Sequence, residues 1–204
     1  MSKSVTIDEK IKNFKKTIEV ASDKSLSIRW ALMASQAIGR SRAYNILNSE
    51  DVNNAILSLK KLGIKIKKYN NFCEINSKGL NSFSYKSNTI INAGNSGTFA
   101  RLIMGVLSNS NNTVVIRGDK SLSGRDFQRV IKPLNMFGVK IISKNNKLPL
   151  KLKGSKFLRP IKYYEKKGSA QVKSCILFAA LNTNGETVIK CKKSRDHTEK
   201  LFMS

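Results

Sequence analysis

Small polar and basic residues occur together at three predicted helix starts, where they could bind an anion. The segments are Asp23-Lys24-Ser25, Asn95-Ser96-Gly97-Thr98 and Ser169-Ala170-Gln171. Free N–H groups at a helix start favour phosphate or carboxylate, because the helix dipole points its positive end there. A cation is disfavoured at the same place, so Lys24 needs a compensating anion. The segments predict a site for one or two phosphates or carboxylates.

Three arginines would add positive charge to this site. Arg29 lies within the first helix, whereas Arg125 and Arg195 lie in loops beside the other two helix starts. Fork-shaped guanidinium groups bind carboxylates and phosphates through paired hydrogen bonds. Arg101 lies inside the second helix, where a polar partner at the rim and a structural ion pair are equally consistent with its surroundings.

A purely structural interpretation of each residue stays open at this point. The Gly-Asn turn at residues 94–97 would then only cap a core helix, and Lys24 would be an ordinary solvated side chain. Ser169 would be a helix cap and Gln171 a first-turn residue. None of these roles needs a ligand.

The three helix starts recur because the chain repeats one unit. Each unit has an almost wholly apolar helix, then a strand, then an amphipathic helix and one or two alternating strands. The apolar helices are predicted from Asp23 to about Ile38 with Gly39 ending the first, from Asn95, and from Ser169. The amphipathic helices begin near Asp51, Asp126 and Asp196, capped by Ser49-Glu50-Asp51, Ser123–Asp126 and Ser194–Asp196. Strands are predicted over residues 17–20, 41–47, 64–67, 72–75, 113–116, 139–142 and 186–190.

These patterns predict an α/β fold with buried helices and half-exposed sheets. A helix that is apolar on every face must be buried, which reverses the usual layering of helices over a buried sheet. Three buried helices packed roughly parallel would bring their N-terminal ends to one rim. The polar residues 1–16 are predicted to be a lead-in.

The net charge limits the classes of partner. With 38 Lys and Arg against 13 Asp and Glu, the chain carries a charge of +25. Such a charge suggests nucleic acid or an anionic membrane, yet most of the cations are scattered lysines without interleaved aromatics. We therefore expect small anionic substrates and no nucleic-acid partner.

Cysteine use and hydropathy favour a cytoplasmic protein. Cys73, Cys175 and Cys191 show no CxxC spacing and are typical of reduced thiols. A single histidine without a Cys/His cluster argues against a zinc site. No apolar leader or membrane-spanning stretch is present in the printed sequence.

Five segments resemble signatures of the 5-enolpyruvylshikimate-3-phosphate (EPSP) synthase family. They are Asp23–Arg29, Gly94–Thr98 with Arg101, Gly118–Arg125, Ser169–Ser174 and Ser194–Glu199. They occur in the family's order and spacing, so the resemblance is specific. It implies a cytoplasmic transferase of the shikimate pathway that moves the enolpyruvyl group of phosphoenolpyruvate to the 5-hydroxyl of shikimate 3-phosphate, releasing phosphate. It implies no cofactor, no metal, no membrane and a monomeric full-length enzyme.

The resemblance also implies a role for each matching residue. Lys24 would be catalytic and would contact both substrates. The shikimate 3-phosphate ligands would be Lys24, Ser25, Arg29, Ser169, Ala170, Gln171, Ser194 and Arg195. The phosphoenolpyruvate ligands would be Lys24, Asn95, Gly97, Arg125 and Gln171.

The family's fold implies an inside-out α/β barrel domain of repeated βαβαββ-type units. Residues 1–21 would be a lead-in and the first strand of another, mostly absent domain. Residues 22–204 would be a three-repeat substrate-binding domain whose third repeat is truncated.

The chain departs from the family in two ways. Ala21-Ser22 replaces the usual Pro-Gly before the first segment, and Ile28 replaces a polar residue. The family's chains are also about twice as long, so the acid/base carboxylates would lie in the other half and the chain alone is not expected to turn over.

Two alternative functions stay open. One is the UDP-N-acetylglucosamine enolpyruvyl transferase of the same fold, although the paired DKS and SAQ segments favour shikimate. The other is a non-catalytic, basic nucleic-acid-binding domain, which only the charge suggests.

Overall fold

A computed structural model describes residues 20–80 and 82–203, together with positions 6, 8, 15 and 17. The lead-in expected over residues 1–16 and the strand expected over residues 17–20 fall largely outside the described residues.

The described residues alternate helices and strands. The helices are α1 (Lys24–Ala34), α2 (Glu50–Lys61), α3 (Gly97–Val106), α4 (Lys120–Ser123), α5 (Gln128–Phe137), α6 (Ala170–Ala180) and α7 (His197–Met203). The strands are β1 (Ile38–Tyr44), β2 (Lys65–Lys68), β3 (Phe72–Lys78), β4 (Thr89–Asn92), β5 (Val114–Arg117), β6 (Lys140–Ser143), β7 (Leu150–Lys153), β8 (Lys162–Glu165) and β9 (Val188–Cys191). The middle of the chain therefore runs β4-α3-β5-α5-β6-β7, with the short α4 inserted before α5.

The strands form three sheets within the described residues. Their orders are β1-β3-β2, β4-β5-β7-β6 and β8-β9. β4 pairs with β5 and β8 pairs with β9 in parallel, while the other pairs are antiparallel. The helix between each parallel pair, α3 or α6, is the crossover that parallel pairing requires. The α/β class is confirmed, and the closed barrel stays a prediction.

Two of the helices have almost no exposed face. Every residue of α3 except Arg101 is buried, and most of α6 is buried as well. The two helices pack so closely that a Cβ atom at Gly105 would overlap the backbone carbonyl oxygen of Cys175. α1 packs against α3 and buries Ile28, Ala31 and Leu32 completely. The prediction that these helices are buried is confirmed.

Two predicted helix boundaries were wrong. α1 ends at Ala34 rather than near Ile38, because the Ser35 N–H closes the last turn on Ala31 and the chain turns before entering β1. The second wrong boundary is the start of α5, which Ser123 does not cap. α5 begins after Phe127 without a side-chain cap, although Asp126 accepts a hydrogen bond from the Gln128 N–H at 2.7 Å.

None of the described helices is long and apolar enough to cross a lipid bilayer.

The three cysteines differ in exposure, which predicts how they react. Cys73 and Cys175 are buried and Cys191 is exposed. Burial raises the pKa of Cys73, and it raises the pKa of Cys175 to about 12. Since the thiolate is the nucleophile, we expect one equivalent of thiol to react with Ellman's reagent in the folded chain and three after denaturation. If thiols of the folded Cys191→Ser variant reacted rapidly with the reagent, the result would contradict the burial of Cys73 and Cys175.

Candidate functional site

Side chains cap all three predicted helix starts. Asp23 accepts a hydrogen bond from the Leu26 N–H at 2.7 Å at the start of α1. Ser96 accepts from the Phe99 N–H at 3.2 Å, and Ser169 accepts from the Val172 N–H at 3.4 Å. Each cap satisfies one of the four unpaired N–H groups of its helix and leaves others for a ligand.

The starts of α3 and α6 are joined by side chains. The Gln171 amide donates to Thr98 Oγ1 at 3.2 Å, and its Oε1 accepts from Arg101 Nη1 at 3.2 Å. Arg101 also donates to the Gly97 carbonyl at 3.3 Å and lies over the Phe127 ring. Arg101 has no ion-pair partner among the described residues and instead donates hydrogen bonds to Gln171 and to the Asp126 carbonyl.

Arg29 links α1 to the same group of elements. Its Nε donates to Thr198 Oγ1 at 2.9 Å, Nη1 donates to the Ser25 carbonyl at 3.2 Å, and Nη2 donates to Ser174 Oγ at 3.4 Å. The structure therefore brings Arg29 and Ser25 together with the first turns of α6.

The charge of Arg29 has no close counter-ion among the described residues. The residue is 3% exposed, and its three hydrogen-bond acceptors are all neutral. Burial is the main cause that lowers its pKa, and nearby Arg195 lowers it further, while Asp23 and Glu199 act in the opposite direction. A buried cation without a paired anion is costly.

A second cationic group surrounds Gly97. Arg125 Nη2 donates to Asn95 Oδ1 at 3.0 Å, and Asn95 in turn donates to Asp119 at 2.6 Å. A Cβ atom at Gly97 would lie 2.6 Å from Arg101 Nη1 and 3.3 Å from Arg125 Nη1. The absence of a side chain at Gly97 therefore leaves both guanidinium groups close to the backbone.

Lys24 forms an ion pair with an acidic residue of the same chain. Its Nζ lies 2.7 Å from Asp51 Oδ2, and its side chain is 50% exposed. Asp51 lies in the first turn of α2, where it also complements the helix dipole. The sequence indicated that Lys24 needs an anion and favoured a ligand in that role, but it did not indicate that Asp51 lies within ion-pair distance.

Residues 194–199 carry buried polar atoms with no partner in the described structure. These are Ser194 Oγ, His197 Nδ1 and Glu199 Oε2. Buried polar groups are normally hydrogen-bonded, so these three atoms within six residues are exceptions to that rule. Arg195 beside them is exposed.

Comparison with known proteins identifies the family. The sequence model of the family described as EPSP synthase (3-phosphoshikimate 1-carboxyvinyltransferase) matches residues 8–204. The chain belongs to the EPSP synthase family.

Two curated relatives of this chain have the same name. The chain is 42% identical over 189 residues to the 3-phosphoshikimate 1-carboxyvinyltransferase of Streptococcus mutans, covering 91% of this chain and 44% of the relative. It is 41% identical over 194 residues to the enzyme of the same name from Petrotoga mobilis, covering 93% of this chain and 45% of the relative. The chain thus spans less than half the length of these relatives.

A solved structure shares the fold. The EPSP synthase of Acinetobacter baumannii superposes with a TM-score of 0.85 at 33% identity, covering 91% of this chain and 43% of the other.

The sequence did not single out a buried carboxylate that shapes the start of α6 in this family member. Glu165 is 5% exposed and accepts hydrogen bonds from the Ser169 N–H at 2.7 Å and the Lys167 N–H at 3.3 Å. Its Oε1 also lies 3.4 Å from Arg129 Nη2. Burial alone would raise the pKa of Glu165, but these donors outweigh it and lower the pKa. Glu165 therefore holds the turn that places Ser169, and no spacing in the sequence pointed to it.

Proposed function

We propose that this chain is the N-terminal part of an enzyme that transfers the enolpyruvyl group of phosphoenolpyruvate to the 5-hydroxyl of shikimate 3-phosphate. The observation that carries the proposal is the buried Arg29, whose hydrogen-bond partners are all neutral and which lies against the start of α6. The names of the curated relatives supply the substrate class.

Shikimate 3-phosphate offers two anionic groups, a phosphate and a carboxylate. We assign its binding to the cations Lys24, Arg29 and Arg195 and to the polar groups of Ser25, Ser169, Ala170, Gln171 and Ser194. The unpaired Ser194 Oγ and the unneutralised Arg29 support this assignment. Charge-assisted hydrogen bonds are about twice as strong as neutral ones, so the cations would supply most of the affinity.

Phosphoenolpyruvate would occupy the neighbouring position near Gly97. We assign its binding to Lys24, Asn95, Gly97, Arg125 and Gln171. Arg125 and Arg101 approach the Gly97 backbone, which gives this position two guanidinium groups. Lys24 would then contact both substrates, exchanging its bond to Asp51 for bonds to the ligands.

The proposed reaction is an addition followed by an elimination. The 5-hydroxyl adds to C2 of phosphoenolpyruvate while C3 gains a proton, and loss of phosphate and of a C3 proton then restores the double bond. In this reaction the described residues would bind and orient the two anions, and Lys24 would stabilise developing charge. The acid/base carboxylates would belong to the rest of the enzyme.

The domain assignment is part of the same proposal. Residues 22–204 would form one inside-out α/β barrel domain of three repeats, with the third repeat incomplete, and residues 1–21 would belong to a second domain. The buried α3 and α6 support this arrangement. A cytoplasmic, monomeric full-length enzyme is proposed with it.

Titration calorimetry of the 204-residue chain tests the proposal. We expect shikimate 3-phosphate to bind, phosphoenolpyruvate to bind poorly, and turnover to be undetectable, because part of the phosphoenolpyruvate pocket and the acid/base groups are assigned elsewhere. UDP-N-acetylglucosamine and duplex DNA serve as comparison ligands. No binding of shikimate 3-phosphate at millimolar concentration would overturn the proposal. Tight, steeply salt-dependent DNA binding that shikimate 3-phosphate does not affect would favour a nucleic-acid-binding domain instead.

A further inference from the structure

A chain of buried hydroxyl groups connects Arg29 to α6 and α7. Thr198 Oγ1 accepts a hydrogen bond from Arg29 Nε at 2.9 Å and lies 2.7 Å from Ser174 Oγ. Ser174 Oγ lies 2.6 Å from the Ala170 carbonyl oxygen. Thr198 and Ser174 are both 1% exposed, so water cannot replace these bonds.

The chemistry of the groups fixes the direction of every bond in this chain. The Ala170 carbonyl can only accept, so Ser174 donates its single proton to it. Thr198 must then donate its own proton to Ser174 Oγ, and its lone pair receives the Arg29 Nε–H. The guanidinium is thereby connected to the first turn of α6 through two hydroxyl groups that each donate and accept.

Thr198 itself is held by the packing of α7. Lys173 on α6 and Glu199 on α7 form an ion pair, and Lys173 is buried. Phe178 on α6 and Phe202 on α7 meet edge to face with ring centroids 5.4 Å apart. Both contacts come from α7 residues that follow Thr198, and they hold α7 against α6 and so fix the Thr198 hydroxyl relative to α6.

Part of the hydrogen-bonding capacity of Arg29 is not used by acceptors among the described residues. A guanidinium has five N–H groups, and the described residues accept one from each of its nitrogens. One N–H on each terminal nitrogen is left over. Their direction depends on how the Nε–H is held, because the guanidinium is planar and rigid.

We propose that Thr198 and Ser174 are positioning residues, which orient the Arg29 guanidinium for the anion it binds. The part of this inference that concerns the ligand rests on the proposed function, with shikimate 3-phosphate as the anion. Neither hydroxyl touches the ligand, and each acts through Arg29.

Two variants at position 198 separate the hydroxyl from the packing. Thr198→Val keeps the shape and removes the hydroxyl, whereas Thr198→Ser keeps the hydroxyl. Thr183→Val is the matched control, because it removes a comparable bond to the Ala179 carbonyl at the far end of α6. In calorimetric titrations, we expect Thr198→Val to weaken shikimate 3-phosphate binding about tenfold, and Thr198→Ser and Thr183→Val to change it by less than about twofold.

A ligand-free measurement tests the positioning itself. In ¹⁵N-edited NMR spectra of arginine side chains, we expect the Arg29 Nε–H to exchange slowly with water in the unmodified chain and in Thr198→Ser. The slow exchange should be lost in Thr198→Val. If Thr198→Val does not fold, Ser174→Ala removes the next link of the same chain and is expected to weaken binding and accelerate exchange in the same direction.

The outcomes distinguish this inference from the proposed function. If the unmodified chain does not bind shikimate 3-phosphate, the proposed function fails and the exchange experiment alone decides whether the hydroxyls orient Arg29. If exchange is the same in Thr198→Val as in the unmodified chain, the inference is overturned. Equal weakening of binding in Thr198→Val and Thr183→Val would also overturn it, since it would show only a loss of stability.

Discussion

Arg29→Ala should weaken the binding of shikimate 3-phosphate by about ten- to a hundredfold, because it removes a charge-assisted contact that contributes about 1.5–3 kcal/mol. The effect is expected to be large because Arg29 is buried and has no anionic partner among the described residues. Burial removes the solvent that would stabilise the charge of Arg29, so a carboxylate or phosphate in contact with it would interact strongly.

Lys120→Ala is the matched control for Arg29→Ala. Lys120 carries the same formal charge but is exposed as the first residue of α4, and we assign it no contact with either substrate. Calorimetric titration of both variants, with melting curves to check that each is folded, should show a loss of affinity only for Arg29→Ala. Equal losses in the two variants would mean that the general positive charge of the chain, and not the rim, attracts the ligand.

The parts of the fold that follow from local patterns could be predicted from the sequence. α3 and α6 were predicted because a run that is apolar on every face fits only a buried helix. Gly138, at φ +99°, ends α5, and a glycine directly after an amphipathic run is a local signal for a helix end because glycine tolerates a left-handed conformation.

The parts that depend on distant residues could not be predicted. β8 is a four-residue strand rich in lysine and tyrosine, and its partner β9 lies on the far side of α6. β7 alternates leucine with lysine and pairs with the nearby β6, but its second partner, β5, is distant in the chain. β4 was not predicted as a strand, because its pairing with β5 cannot be inferred from four residues. Strands of this kind owe their structure to neighbours more than to propensity.

The same distinction applies to the candidate site. The caps at Ser96 and Ser169 were predictable, because a cap and its helix are adjacent in sequence. The contact of Arg29 with Thr198 spans 169 positions, and no spacing rule relates the two. Thr198 lies within Ser194–Glu199, one of the five segments that resemble family signatures, but the sequence alone assigns this threonine no role of its own. The role of its hydroxyl follows only from the packing of α7 against α6 and α1.

Gly105→Ala should destabilise the chain more than any surface substitution. The added Cβ would overlap the carbonyl oxygen of Cys175 and lie 3.0 Å from the carbonyl carbon. Both atoms belong to the backbone of α6, so no side chain can move aside and the helices must separate. Alanine favours a helix over glycine by about 1 kcal/mol, but we expect the overlap to outweigh this gain with a net loss of about 3 kcal/mol.

Thermal melts of Gly105→Ala and Gly124→Ala provide the test. A loss of about 3 kcal/mol corresponds to a fall of roughly 6–12 °C in Tm for a chain of this size. Gly124 has an ordinary φ of −75°, and a Cβ there would meet its nearest neighbour at 3.5 Å, so its variant should melt like the parent chain. Separation of α3 from α6 would also pull Arg101 away from Gln171, which lies 3.2 Å away on α6. A Gly105→Ala chain that melts normally and retains its affinity for shikimate 3-phosphate would contradict the close packing of the two helices on which the rim depends.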